Sequence, residues 1–201
     1  FLAKENKSFS IIFFIQDTYM LNYSNLNKKI FNMKNLNNKI LIKTDRFILK
    51  SLKVKDVKIN YINWIKYENK RFIEYNPPKL NINILKKYVS KKINKKNCIF
   101  LGIFTRSKKH IGNLKFEPVN FKLKYTVMGI LIGDKKWKGK GVGFEVLKSS
   151  FNYLYLNYKI TKIYLGVDKK NLAAIGLYKK LGFKLLKNNK INRYSMQLKL
   201  N

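Results

Sequence analysis

Cysteine and histidine are almost absent from this chain, which has one of each among its 201 residues, Cys98 and His110. A single cysteine excludes an internal disulfide, and one cysteine with one histidine excludes the usual Cys/His zinc sites. We therefore expect no metal, no oxidising compartment and a cytoplasmic location. Cys98 is predicted to be a buried strand residue, and His110 to have a surface or structural role.

Long apolar runs are also lacking. The apolar stretch at residues 9–15 is far too short to span a bilayer, and no small-residue cleavage site follows it. The sequence therefore predicts no membrane span. We expect residues 1–32 to be an unstructured extension outside the domain, with Met33 interpreted as a start; a degenerate signal peptide is the alternative.

Acidic residues are few, and so is arginine among the basic ones. The chain has 44 Lys and Arg against 10 Asp and Glu, a formal net charge of +34, with Arg only at positions 46, 71, 106 and 193. Arginine reads phosphates and base edges better than lysine does. The lysines are also spread along the whole chain, so we interpret them as a solvated surface and expect no specific nucleic-acid binding. Their field still favours anionic ligands.

What the chain does have is enough apolar sequence for one α/β domain, 46% of 201 residues. Its most informative segment joins the apolar run at 128–132 to an amphipathic helix and reads Lys138-Gly139-Lys140-Gly141-Val142-Gly143. Glycines let a phosphate approach the backbone, and a helix N-terminus offers N–H groups and positive potential. The segment therefore predicts an anion-binding turn.

A second motif lies in the helix predicted from about Asn171 to Gly182, and it consists of Asn171, Ala174, Tyr178, Gly182 and Phe183. The two segments together resemble the acetyl-CoA-dependent N-acetyltransferases of the GNAT superfamily. Those enzymes carry Gln/Arg-x-x-Gly-x-Gly/Ala, followed by Asn-x-x-Ala-x-x-x-Tyr-x-x-x-Gly-Phe. Here Lys138 stands in place of Gln or Arg.

The resemblance implies a GNAT fold over residues 38–201: a single mixed, mostly antiparallel sheet, splayed between strands four and five and flanked by helices. The corresponding strands are expected at 44–50, 98–104, 110–116, 122–133, 161–167, 183–186 and 193–200. Helices are expected at 56–67, 82–93, 142–156 and about 171–181.

The resemblance also implies the binding residues for acetyl-CoA as co-substrate. Its pantetheine arm would pair with backbone groups of Leu131, Ile132 and Gly133 and hydrogen-bond to Asn171, and Tyr178 would donate a proton to the departing thiolate. Tyr178 as a mere core aromatic is the alternative. The pyrophosphate would lie on Lys138, Gly139, Lys140, Gly141, Val142, Gly143 and Phe144.

The family's usual general bases are missing. Relatives carry a carboxylate on strand four or strand five, where this chain has Val127 and Gly166. Glu117 and Glu145 are the remaining acids near the centre, and Glu145 is expected to serve the helix N-terminus. An acceptor amine that is only weakly basic needs less help to lose its proton, so an α-amine or a deoxysugar amine fits better than a lysine side chain.

A second resemblance concerns the acceptor. Four segments are similar to the GNAT subgroup that N-acetylates the 4-amino group of UDP-linked sugars of the pseudaminic acid type: 61–64, 72–75, 110–115 and 132–135. The expected partner is thus a small anionic nucleotide sugar, and a homodimer is left open. Two alternatives remain: a ribosomal-protein N-terminal acetyltransferase, and a basic nucleic-acid-binding protein on an inactive GNAT fold.

Overall fold

The computed structural model describes residues 40–68, 77, 79–187 and 191–200, all of which lie in the second of the chain's two units, Phe1–Met33 and Lys34–Asn201. The predictions for residues 1–32 and for the segment 72–75 therefore lie outside the described residues.

One sheet organises the described part of the chain. Its eight strands run in the order β1-β2-β3-β4-β5-β6-β8-β7. All neighbouring strands are antiparallel except β5 and β6, which are parallel. The predicted mixed sheet is confirmed. Its strands are β1 Leu41–Lys43, β2 Phe47–Ser51, β3 Ile99–Thr105, β4 His110–Asn120, β5 Tyr125–Ile132, β6 Lys162–Asp168, β7 Lys184–Leu185 and β8 Arg193–Lys199.

In the described residues four α-helices accompany the sheet: α1 Ile59–Asn63, α2 Ile82–Ile93, α3 Val142–Tyr158 and α4 Leu172–Lys180. The first continues as a π-helical turn, Trp64–Glu68. Asn81 caps α2 by accepting a hydrogen bond from the Ile84 N–H at 2.9 Å, which satisfies one of the donors that a helix N-terminus leaves open. The predicted helix at 82–93 has the observed bounds, whereas the early helix predicted at 56–67 is shorter and partly π-helical.

The first face of the sheet is covered by α1 and α2. Side chains from both helices form one apolar cluster with Phe100 of β3 and with Cys98, which is buried as predicted but lies one residue before the strand, and Leu131 of β5 packs against it. Residues directly opposite each other in a sheet share a face, so Lys115, which pairs with both Phe100 and Gly129, lies on this face as well. We call it the α1–α2 face.

The turn before α3 packs on the opposite face. There Trp137 meets Phe47 of β2 edge-on, with ring centroids 5.3 Å apart. Phe183 links the two later helices, because its ring touches Phe151 of α3 and Tyr178 of α4. The sheet therefore separates α1 and α2 from the turn that starts α3.

The sheet opens between β5 and β6. The two strands pair only at Tyr125↔Lys162, Thr126↔Ile163 and Val127↔Tyr164, although β5 continues to Ile132 and β6 to Asp168. Each keeps its outer partner, β4 or β8, along this length. The result is a wedge-shaped gap that widens toward the carboxyl ends of both strands, as predicted for strands four and five; the strand numbers shift by one because β1 precedes the predicted first strand.

Candidate functional site

The β5 side of the gap carries backbone groups without a strand partner. The Gly133 N–H donates to the Ile111 carbonyl of β4 at 2.9 Å. Opposed residues of an antiparallel pair alternate between hydrogen-bonded and non-bonded positions, so Leu131 also points its N–H and C=O toward β4. By the same alternation Ile130 and Ile132 point theirs into the gap. Of the predicted Leu131, Ile132 and Gly133, it is Ile132 that offers backbone groups there.

Gly133 has a packing role in the structure. A Cβ at this position would overlap the indole of Trp64, which is buried in the cluster under α1 and α2. Its N–H is already bonded to β4. The glycine therefore lets the π-helical turn approach the end of β5.

The glycine-rich turn after β5 has the conformation of an anion-binding loop. Gly139 and Gly141 adopt positive φ angles of 72° and 74°, which glycine adopts without the steric cost of a side chain. Gly141 is the N-cap of α3, so the N–H groups of Val142, Gly143 and Phe144 have no acceptor within the helix. A turn with positive φ angles that leads into a helix N-terminus directs backbone N–H groups toward one point, and this arrangement favours the binding of phosphate.

The first turn of α3 is fastened to the turn before β2. Glu145 accepts hydrogen bonds from the Thr44 hydroxyl at 2.6 Å, the Arg46 N–H at 2.8 Å and the Arg46 Nε at 2.7 Å. Burial opposes ionisation of Glu145, but these bonds more than compensate and lower its pKa. Glu145 is thus a charged tether of the loop, in keeping with a role at the helix N-terminus.

The helix α4 starts at the carboxyl end of β6 and abuts α3. A Cβ on Gly143 would lie 2.7 Å from Leu177 Cδ2, so the absence of a side chain permits this contact. Asn171 caps α4 by accepting a hydrogen bond from the Ala174 N–H at 3.2 Å. The cap fixes the position of the Asn171 side chain at the start of α4.

Tyr178 lies two turns along α4 from this cap. Its side chain is buried, and burial raises its pKa to about 12, so the hydroxyl stays protonated throughout the physiological range. Its ring packs against Phe183 at a centroid distance of 5.7 Å.

Neither Val127 nor Gly166, the two positions at which relatives carry the general base, has a carboxylate, and Gly166 lies beside a cation. At Gly166 an added Cβ would lie 3.6 Å from the Arg193 guanidinium. Val127 is the last residue of β5 that pairs with β6, at the apex of the gap. Val127 and Gly129 are two residues apart in β5 and therefore share a face of the sheet, the α1–α2 face.

Glu117 sits beside the apex, in β4, and is enclosed by lysines. Lys92 Nζ lies 2.7 Å from its carboxylate, Lys95 Nζ 2.9 Å and Lys115 Nζ 3.2 Å. Burial opposes ionisation of Glu117, but these ammonium groups lower its pKa to about 2. A carboxylate this acidic holds a proton too weakly to serve as general base. We refer to Lys92, Lys95, Lys115 and Glu117 as the lysine cluster.

The lysine cluster was not predicted from the sequence. Lys92 and Lys95 are three residues apart at the end of α2, which indicates that they are neighbours, but the chain has many such pairs. Only the packing of α2 on the α1–α2 face of the sheet brings them to Lys115.

Replacement of Glu117 by Gln is expected to lower the free energy of unfolding by about 3 kcal/mol at pH 7, since it leaves three ammonium groups without their shared counter-charge. The folded pKa of about 2 lies below the ordinary 4.5. The contribution of Glu117 is therefore complete above pH 4.5 and is lost as pH falls toward 2. Urea unfolding across this range should show a shallower pH dependence in Glu117→Gln than in the parent. The exposed Asp45→Asn is the control, and equal stability of Glu117→Gln and parent would contradict the account.

Metal chemistry finds no support in the described part of the chain, where no three potential ligands come together. Cys98 is buried, which raises its pKa to about 12 and makes it unreactive. His110 stacks on Phe104 and hydrogen-bonds to the Gly112 carbonyl and the Asn113 side chain, both at 2.9 Å. Among the described helices, none is long and apolar enough to cross a membrane.

Comparison with known proteins agrees with this geometry. Residues 46–184 match the family model of the acetyltransferase (GNAT) domain. A probable spermine N(1)-acetyltransferase of Bacillus subtilis subsp. natto is 42% identical over 50 residues, which are 25% of this chain and 33% of that protein. The match thus spans about a third of the length of this relative.

Two solved structures show the same fold at low identity. A GNAT-family acetyltransferase from Bacillus anthracis gives a TM-score of 0.69 at 15% identity, covering 80% of this chain and 98% of that one. The spermidine N-acetyltransferase of Vibrio cholerae in complex with CoA and spermine gives 0.64 at 19% identity, covering 76% and 95%. With more than half of its length matched by the family model, this chain belongs to the GNAT acetyltransferase family.

Proposed function

We propose that this protein transfers the acetyl group of acetyl-CoA to a primary amine, and that the amine belongs to a nucleotide-linked amino sugar. Acetyl transfer from acetyl-CoA is supported by the gap between β5 and β6, which has the glycine-rich turn and the capped start of α4 at its open end. A long ligand with a phosphate-rich head and a thin arm matches this shape. Acetyl-CoA is such a ligand, and the chain's family uses it.

The donor would lie with its pyrophosphate on the N–H groups of Val142, Gly143 and Phe144 and its arm along Ile130 and Ile132. An N–H of β5 that faces the gap polarises the thioester carbonyl in this arrangement. The acceptor nitrogen forms a bond to the carbonyl carbon, and the carbon–sulfur bond breaks. Tyr178 supplies a proton or a strong hydrogen bond to the leaving thiolate, and solvent takes the proton lost by the amine.

The two usual positions of the general base carry no carboxylate in this chain, and this supports a weakly basic acceptor. Glu117 and Glu145 are both held as ions by neighbouring cations, while Val127 and Gly166 have no ionisable group. An amine with a reference pKa near 10.4 is almost fully protonated at neutral pH, whereas a sugar amine flanked by oxygens titrates lower. Ordered water is then a sufficient proton acceptor.

Charge supports an anionic acceptor. In the lysine cluster three ammonium groups share one carboxylate on the α1–α2 face, the face on which Val127 lies. A polyamine carries several positive charges and would be repelled there. Polyamines are nevertheless the second candidate acceptor, because the names of the Bacillus subtilis relative and of the Vibrio cholerae structure specify spermine or spermidine.

The test is a free-thiol release assay with acetyl-CoA and a matched panel of acceptors: UDP-linked 4-amino sugars, the same amino sugars without the nucleotide, spermidine and N-terminal peptides. We expect the highest kcat/KM with a UDP-linked sugar. A preference for spermidine would contradict the acceptor class and leave acetyl transfer intact. Absence of thiol release with every amine would contradict acetyl transfer itself.

A further inference from the structure

Gly129 leaves an opening in the middle of β5. It is exposed, although it lies inside the strand, and no atom of the described residues comes within 4 Å of the position that its Cβ would occupy. Its φ is not positive, so backbone conformation does not require glycine here. A glycine within a strand marks a bulge, a bend or the close approach of a ligand or another backbone, and the irregularity in the pairing of β4 with β5 lies at 116–119 instead of at Gly129.

The opening faces the side from which an acceptor must come. Gly129 and Leu131 are two residues apart in β5, so they share a face of the sheet. The Leu131 side chain packs against the apolar cluster under α1 and α2, and this face is therefore the α1–α2 face. The next residue, Ile130, directs its backbone groups into the gap. A ligand above Gly129 would therefore lie beside the thioester carbonyl of an acetyl-CoA bound in the gap.

The lysine cluster adjoins this opening. Lys115 pairs directly with Gly129 across β4 and β5, and its Nζ also donates to the Tyr88 hydroxyl at 3.1 Å. Side-chain exposure is 19% for Lys92, 21% for Lys115 and 50% for Lys95, against 2% for Glu117. The single negative charge is thus enclosed, while the cations reach the surface with a surplus of two charges. Partly desolvated surplus charge of this kind is stabilised by a bound anion.

We propose that the acceptor amine enters over Gly129 and that a phosphate group of the same acceptor binds to Lys92, Lys95 and Lys115. The inference rests on the proposed function, and it adds the location of the acceptor site and the residues that select a phosphorylated amine. The Cα atoms of opposed residues in a sheet lie about 5 Å apart, so the Lys115 side chain starts directly beside the opening at Gly129.

The first test fills the opening. Gly129→Val adds a side chain that strands favour and that meets no described atom, so folding and acetyl-CoA affinity should match the parent. We expect its KM for the best acceptor of the panel to rise at least tenfold, and that of Gly129→Ala to rise less. Gly176→Ala, at another glycine with open space, is the control. Unchanged acceptor kinetics in Gly129→Val would overturn the location.

The second test separates phosphate binding from amine binding. Lys115→Met should raise KM at least tenfold for a UDP-linked amino sugar and leave it unchanged for the same sugar without the nucleotide. Lys148→Met, on the exposed part of α3, is the control. Equal changes with both sugars would overturn the phosphate assignment. A parent that transfers acetyl to no amine would refute the proposed function, whereas a parent that is active and insensitive to both substitutions would refute this inference alone.

Discussion

Gly141→Val is expected to abolish detectable acetyl-CoA binding in a protein that still folds. Gly141 has a φ of 74°, which strains a β-branched residue by about 1 to 3 kcal/mol. The backbone would relieve this strain by turning its N–H groups away from the pyrophosphate, and the new side chain would occupy the approach, 3.5 Å from Arg46 Nη2 at its Cβ. We expect the Kd to rise by about 100-fold or more, measured by calorimetry.

Because strain also costs stability, the comparison includes Gly141→Ala and the control Gly176→Ala, each checked by circular dichroism and Tm. The Ala variant of Gly141 should bind acetyl-CoA more weakly than the parent and more tightly than the Val variant. Parent-like affinity in a well-folded Gly141→Val would refute the assignment of this loop to the pyrophosphate.

Tyr178→Phe should reduce turnover by about 100-fold or more with little change in acetyl-CoA affinity. The substitution removes one oxygen and keeps the ring, so the contact with Phe183 should survive. The pKa of about 12 means that the parent hydroxyl keeps its proton well above neutral pH, and the deficit should therefore be the same from pH 6 to pH 9.

Single-turnover measurement is the deciding form of this test, since slow product release would hide an effect on the chemical step. Tyr158→Phe provides a matched control. Burial also raises the pKa of Tyr158 to about 12, but this residue lies at the far end of α3. A Tyr178→Phe variant as fast as Tyr158→Phe would show that Tyr178 only fills the core.

Local patterns in the sequence were enough to predict the glycine-rich turn to which the proposal assigns the donor's pyrophosphate. The glycine-rich turn was predictable because its residue types are those that positive φ and a bare helix N-terminus require, as at Gly139 and Gly141. The bounds of α2 were predicted from the family resemblance, and in the structure Asn81 caps the start of this helix. In contrast β1 has only three residues, too few to establish an alternation, and was missed.

Features that depend on packing between distant segments could not be predicted. Gly133 was assigned to the pantetheine arm, but its contact with Trp64 and its bond to Ile111 follow from the position of α1 on the sheet. The same applies to Glu117, which in the sequence is one of two remaining acids and in the fold is the centre of an ion-pair cluster. The opening at Gly129 gives no sequence signal beyond a glycine in a strand.

The central claim is that acetyl-CoA lies in the gap between β5 and β6, and amide hydrogen exchange of the full chain with and without acetyl-CoA tests it most directly. The account predicts new protection in three places: at Ile130 and Ile132, at residues 139–144, and at the start of α4. Protection confined to other lysine-rich surfaces, or none at saturating acetyl-CoA, would contradict it.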